Sequence, residues 1–259
     1  NPITIIPYLS IRGNKFKSMK FQNNDWFVVS SGVAPIYESA SFNSNYLTEA
    51  VYGDSCKIIK VEESWFFVKC DDGYQGWIKN FYGFRSGIKK NPYYVVAYPE
   101  SGGLFNPRYP FGAKLNKKRS GAIPINQRLN FNKINTVLHN LLNVPYKWGG
   151  KTSLGFDCSG LVQSVLNVYG IKIPRDSRDQ WRFLESFKVN IDKAKKGDLH
   201  FFGKNGKVSH VGFACGGYDL IHSQGYVKKE SLDKNDPNFN KSLLDIYLSS
   251  ASIRLKFKL

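Results

Sequence analysis

The chain has 259 residues, 42% hydrophobic and 15% aromatic, enough for packed cores and, at roughly 100–200 residues per domain, for two or three units. Wholesale disorder is excluded, and no run of about 18 uninterrupted apolar residues is present to form a spanning helix. A formal net charge of +17 points either to an acidic partner, such as nucleic acid, an anionic surface or a charged polymer, or to lysines that serve solubility. Cys56, Cys70, Cys158 and Cys215 are too few and too scattered for a disulfide framework. No C-x-x-C or H-x-x-x-H spacing occurs, so neither a metal nor a cofactor is expected. The opening NPITIIPYLS is too short and uncharged for an export signal, and the compartment stays open between cytoplasm and periplasm or cell envelope.

Residues 26 to 80 alternate aromatic and β-branched side chains between Gly, Asn and Asp, which predicts the short strands of a small antiparallel barrel. In LTEAVYGDSCKIIKVEESWFFVKCDDGYQGWI a YGD turn precedes two strands and DGYQGWI closes the barrel. This pattern resembles a bacterial SH3 domain and sets a first unit at residues 1–84. Between Arg85 and Lys133, ten basic residues face a single acid, Glu100, so over half of the net charge gathers there. Five prolines and the Gly102-Gly103 pair favour loops and short strands. YYVVAYP and FGAKLNKKRSGAIPI are expected as strands of a second, abbreviated SH3-like barrel over 85–131, leaning on its neighbours or on residues 1 to 25.

The pattern then turns helical. FNKINTVLHNLLN sets Ile134, Val137, Leu138, Leu141 and Leu142 on one face. A Gly-rich loop, KWGGKTSLGFDCSG, leads into a second amphipathic helix, CSGLVQSVLNVYG, which Gly170 is placed to end. Strands are expected at GDLHFFG, KVSHVGFAC, YDLIHSQ and SIRLKFKL. Helices followed by a run of strands predict an α+β domain with an antiparallel sheet over residues 132–259.

A nucleophilic Cys acts as its thiolate, and a helix start supplies partial positive charge that lowers its pKa. Cys158 sits at such a start. In KVSHVGFA, alternation puts His210 on one face with Val208, Gly212 and Ala214, whose small members leave room for a ring and a substrate. His222 falls on the next strand, where an antiparallel neighbour brings the two imidazoles together as base and orienting group. His139 caps or decorates a helix surface, and His200 is open between sharing the sheet face with a catalytic group and the commoner half-buried strand position satisfied by a backbone carbonyl. Cys56, Cys70 and Cys215 read as packing residues, with a Cys56–Cys70 bridge confined to an oxidising compartment.

YKWGGKTSLGFDCSGLVQ, SHVGFA and LIHS, in that order, resemble the NlpC/P60 family of papain-like cysteine peptidases over roughly residues 132–259. With SH3 modules in front, the whole resembles the γ-D-glutamyl-L-diamino acid endopeptidases that cut peptidoglycan stem peptides. The resemblance implies Cys158 as nucleophile, His210 as base and His222 as third member. It also implies an oxyanion held by the Cys158 N–H and the Tyr146 hydroxyl, unless Tyr146 only packs. Asp157, Ser159 and Ser177 fall at substrate-binding positions. Glu49 and Tyr74 match positions that read a free N-terminal L-Ala amine, the alternatives being a solvated strand residue and a barrel aromatic. Arg175 is open between a carboxylate clamp and a surface charge.

The expected partners are stem peptides or muropeptides, with no nucleic acid, since Lys114 to Arg119 lack an aromatic platform or helix-turn-helix pattern. A monomer is expected. Two other functions fit the same scaffold, an N-acetylmuramoyl-L-alanine amidase and a non-catalytic wall-binding protein.

Overall fold

The computed structural model describes residues 25–125 and 131–259. Residues 1–24, placed by sequence in the first unit, and Arg128 of the basic stretch lie outside them.

The first barrel is one seven-stranded sheet: β1 (Trp26–Val29), β2 (Val33–Tyr37), β3 (Tyr46–Val51), β4 (Ser55–Glu62), β5 (Trp65–Lys69), β6 (Gln75–Lys79) and β7 (Gly83–Ser86). Its order is β3-β2-β6-β5-β4-β1-β7, with antiparallel pairings. Period-two alternation turns Phe27, Ile36, Ile58, Phe66, Val68 and Ile78 inward to make its core.

The second module has three short strands, β8 (Tyr94–Val96), β9 (Lys114–Leu115) and β10 (Ala122–Pro124), in the order β10-β8-β9. Val96, Ala113, Leu115 and Ala122 pack with Val51 of the first barrel, whereas Val95, Ala97 and Phe111 join the core of the C-terminal domain. It therefore wedges between its neighbours and shares their cores. The YGD turn marks the junction. Gly53 adopts φ +82°, and a Cβ there would collide with the Lys114 carbonyl, while Asp54 pairs with Lys114 at 2.6 Å.

In the C-terminal domain, α1 (Phe131–Asn140) precedes a hairpin of β11 (Lys151–Thr152) and β12 (Gly155–Phe156) formed within the Gly-rich loop. Then come α2 (Cys158–Val168), α3 (Ser177–Leu184), β13 (Lys188–Val189), β14 (Leu199–Lys204), β15 (Lys207–Gly216), β16 (Asp219–Gln224), β17 (Tyr226–Ser231), α4 (Lys241–Leu244), β18 (Tyr247–Ala251) and α5 (Ile253–Phe257). The sheet runs β13-β18-β14-β15-β16-β17. Every residue of α2 except Asn167 is buried, which makes it the central helix, packed on β15 and β16.

Two elements differ from the sequence reading. SIRLKFKL is a helix in place of a strand: Ser252 caps it by accepting from Leu255 N–H, and Ile253 and Phe257, four residues apart, both meet the core. The strand of that region is β18, just upstream. β17, YVKKES, is an edge strand, where charged residues are tolerated because one side of the strand meets solvent. No helix among the described residues is long and apolar enough to cross a membrane.

Candidate active site

Cys158 is the first residue of α2 and is buried. Asp157 caps the helix: its Oδ1 accepts from Gly160 N–H at 2.6 Å and its Oδ2 from Gly149 N–H at 2.8 Å. Gly160 has no freedom to be larger, since a Cβ there would collide with the Gly150 carbonyl.

The cap is itself held by Arg175, which is 4% exposed. The guanidinium donates to both Asp157 oxygens, at 3.0 and 2.6 Å, to Ser159 Oγ at 2.9 Å and, from Nε, to Thr48 Oγ1 of the barrel at 2.9 Å. Such a bidentate fork fixes the carboxylate in plane. Arg175 is thus an internal strut, neither a free carboxylate clamp nor a surface charge. Ser159 Oγ completes the knot with Asp157 Oδ1 at 3.3 Å.

His210 lies on β15. Its Nε2 lies 2.8 Å from His222 Nδ1, and His222 Nε2 lies 2.8 Å from Glu230 Oε2. The two rings cross at 83° with centroids 5.0 Å apart. The small residue on this face has a structural role: a Cβ on Gly212 would sit 2.8 Å from His222 Cβ, so only glycine lets the rings meet. This line leaves Nδ1 as the His210 nitrogen outside it. The strand that bears His210 packs against α2, the helix that begins at Cys158.

Burial, followed by the Asp157 charge, pushes the Cys158 thiol up to about 11, despite the opposing pull of the Val211 and Ser159 N–H groups and of Arg175. The lowering expected from the helix start is therefore present but outweighed. Burial, then His222, moves His210 down to about 3, with Lys228 adding to the shift and Glu230 opposing it. Both shifts favour the uncharged forms near neutral pH, a thiol at Cys158 and a neutral imidazole at His210.

Tyr146 is partly exposed, and burial together with the Cys158 and Asp157 charges pushes its phenol up to about 12, which keeps it a hydrogen-bond donor. Ser177 opens α3 behind Asp176. Trp148, 70% exposed, stands free two residues after Tyr146.

Glu49 is 1% exposed, and its carboxylate is already occupied by Tyr46 Oη and Lys147 Nζ, each at 2.7 Å, and by Lys151 N–H at 2.8 Å. It joins β3 of the barrel to the loop before the nucleophile. Lys151 Nζ repeats that join, 3.2 Å from Asp72. Tyr74 instead interacts electrostatically with Asp176, whose carboxyl is raised by burial and by Asp179 and Asp157 against the pull of Arg175. Elsewhere, His139 bonds Asn135 O on the exposed side of α1. His200 is fully buried between Ser250 Oγ and Gly217 O, and burial moves it down to about 4. Cys56 and Cys70 are free thiols with sulfurs 3.5 Å apart.

Sequence reasoning passes over Thr48, Asp176 and Glu230. Asp176 stands beside a residue singled out and could have been found there. Glu230 was visible only as one charge in a lysine-rich segment.

The model of the NlpC/P60 family matches residues 143–245, which span α2, β15, β16 and β17, and the bacterial dipeptidyl-peptidase Sh3 domain model matches residues 36–80. The chain carries an NlpC/P60 domain. That domain is of the cysteine peptidase kind, and the barrel in front carries a bacterial SH3 domain. The γ-D-glutamyl-L-lysine dipeptidyl-peptidase of Bacillus subtilis is 29% identical over 216 residues, covering 68% of this chain and 71% of that protein. The protein of the same name from Bacillus cereus is 37% identical over 102 residues, 38% of this chain and 30% of that one. An NlpC/P60 endopeptidase structure from Photobacterium damselae subsp. piscicida superposes with a TM-score of 0.59 at 14% identity, covering 88% of this chain and 70% of that one, a likeness of fold. The α+β catalytic domain behind small β modules is therefore the NlpC/P60 arrangement.

Proposed function

We propose that the protein hydrolyses the amide between γ-D-Glu and the diamino acid of peptidoglycan stem peptides that carry a free N-terminal L-Ala. The observation that carries this reading is the buried thiol at the start of α2, the helix packed on the strand whose His210 is hydrogen-bonded to His222. The names of the two Bacillus relatives support the bond type.

As Sγ attacks the γ-carbonyl carbon, His210 Nδ1 takes the thiol proton and the carbonyl π electrons pass to oxygen. The Cys158 N–H, in the first turn and without an intrahelical acceptor, and the Tyr146 hydroxyl are the donors for that oxyanion. On collapse the C–N bond breaks and the imidazolium protonates the leaving amine, which leaves a thioester on Cys158. Water, deprotonated by His210, then attacks the thioester, and the thiol is restored by the same proton.

Glu49 already holds an ammonium from within the chain, so recognition of the L-Ala amine falls to Tyr74 and Asp176. A cation there would relieve the repulsion that Asp176 feels from Asp157 and Asp179.

Mass analysis of the products tests this. L-Ala-γ-D-Glu should appear from L-Ala-γ-D-Glu-diamino acid tripeptides ending in lysine or diaminopimelate. Release of intact stem peptide from whole muropeptides would instead identify an amidase, and no product from either would indicate a wall-binding protein.

A further inference from the structure

The relay of imidazoles ends on a carboxylate that the reaction scheme above does not use. Glu230 lies on the edge strand β17, yet its side chain turns inward to the fully buried His222. Its Oε2 takes His222 Nε2 and Asn240 Nδ2, each at 2.8 Å, and its Oε1 takes Lys228 Nζ at 3.0 Å. Asn240 is fixed in orientation because its Oδ1 already accepts from Leu243 N–H at 3.0 Å as the cap of α4. Lysine and this amide nitrogen can only donate, so both carboxylate oxygens are wanted as acceptors. Burial alone would raise the Glu230 pKa, but the bonds from His222, Lys228 and Asn240 together hold it down to about 2.

An ionised carboxylate accepts only, which puts a proton on His222 Nε2. A neutral His222 then offers a lone pair at Nδ1, and the 2.8 Å contact requires His210 to donate from Nε2. His210 Nδ1 is left bare, on the one ring nitrogen able to take the thiol proton. Reverse the first step and the whole line reverses: a proton on His222 Nδ1 would force one onto His210 Nδ1 and disable the base.

The geometry points to Glu230 as a positioning residue that sets the direction of the protons along His222 and His210 and so keeps His210 Nδ1 free for Cys158. The kinetic part of this assignment rests on the peptidase reading above; the proton assignment does not.

The test is ¹⁵N NMR of the histidine rings at neutral pH in the full chain, with Cys158→Ala to prevent turnover. With Glu230 in place both rings should be Nε2–H tautomers, and a proton on His222 Nδ1 would overturn the proposal whatever any variant does. Glu230→Leu should give mixed or reversed tautomers, whereas Glu230→Gln, which can present its carbonyl to His222 and Asn240, should restore them. Unchanged tautomers in Glu230→Leu also overturn it. Should that variant melt below the measuring temperature, Glu230→Met serves in its place.

With Cys158 restored, Glu230→Leu should lower kcat about 100-fold with KM changed less than about threefold, the order expected when an outer orienting partner is lost and the tautomers mix. Glu230→Gln should recover most of the loss, and no recovery alongside restored tautomers would overturn the assigned role. Because the NMR measurement needs no substrate, failure to cleave stem peptides would remove the peptidase reading and leave the proton assignment standing or falling by itself.

Discussion

The two sides of the candidate site are held in different ways. On the nucleophile's side the loop from Tyr146 to Ser159 is fastened by charge to another domain: Arg175 joins Asp157 to Thr48, and Glu49 joins Lys147 and Lys151 to β3. On the base's side the line from His210 through His222 to Glu230 and Asn240 lies wholly within one domain. The SH3 barrel therefore acts as a part of the support of the Cys158 loop, while the line from His210 to Glu230 needs only its own domain. Perturbations of the barrel face should be felt at Cys158 before they are felt at His210.

The largest effect should come from cutting the strut. Arg175→Leu leaves the Asp157 carboxylate buried and unpaired, and chemical denaturation should show a loss of about 3–5 kcal/mol. Hydrogen exchange should then rise in β3 and at the start of α2 while β15 and β16 keep their protection. A loss below about 1 kcal/mol, or one spread evenly over both sides, would erase the distinction.

Acid should act in the opposite direction, on the relay side first. His200 and His210 stand at about 4 and 3 in the folded chain, below the ordinary 6.5, so the unfolded chain binds protons first as pH falls. Their contribution is present above about pH 6.5 and is lost as the pH falls toward the folded values. Glu230, held at about 2, adds a loss that begins near its ordinary value of 4.5 and is complete below its folded one. Denaturation midpoints between pH 7 and 4 should fall by the equivalent of up to about 6 kcal/mol, roughly half from each histidine, and His200→Gln should flatten that slope. A flat profile in the unsubstituted chain would contradict the burial argument.

The smallest effect separates two acids that the sequence treats as candidates of one kind. Glu49→Gln removes an anchor whose partner Lys147 is partly solvated, so stability should drop by only about 1–2 kcal/mol. The preference for free over N-acetylated tripeptide should stay the same in that variant and collapse in Asp176→Asn. The reverse pattern would return amine recognition to Glu49.

What could be read without coordinates follows the range of the physics. The helix start at Cys158 and the alternation that turns His210 and Gly212 to one face depend on neighbours a few residues away, and those were legible. The partners that Arg175 and Glu49 find in the other domain, Thr48 for the one and Lys147 and Lys151 for the other, lie about a hundred residues or more away in sequence and are set by how two domains pack, which no local pattern encodes. Glu230 was hidden for a third reason: its segment reads as solvated because it forms an edge, and only the β16–β17 register, which sets Lys228 opposite His222, shows that one of its charges turns inward. The C-terminal SIRLKFKL misled because alternating apolar residues mimic a strand, while the Ser252 cap and the Ile253–Phe257 spacing specify a helical turn.

Cys158→Ala is the most direct measurement. Purified side by side, the unsubstituted protein should release L-Ala-γ-D-Glu from L-Ala-γ-D-Glu-diaminopimelate. The variant should fold with the same melting behaviour and lose kcat/KM by about 1,000-fold or more, as removal of a covalent nucleophile requires. Undiminished cleavage by Cys158→Ala would contradict the account at its centre.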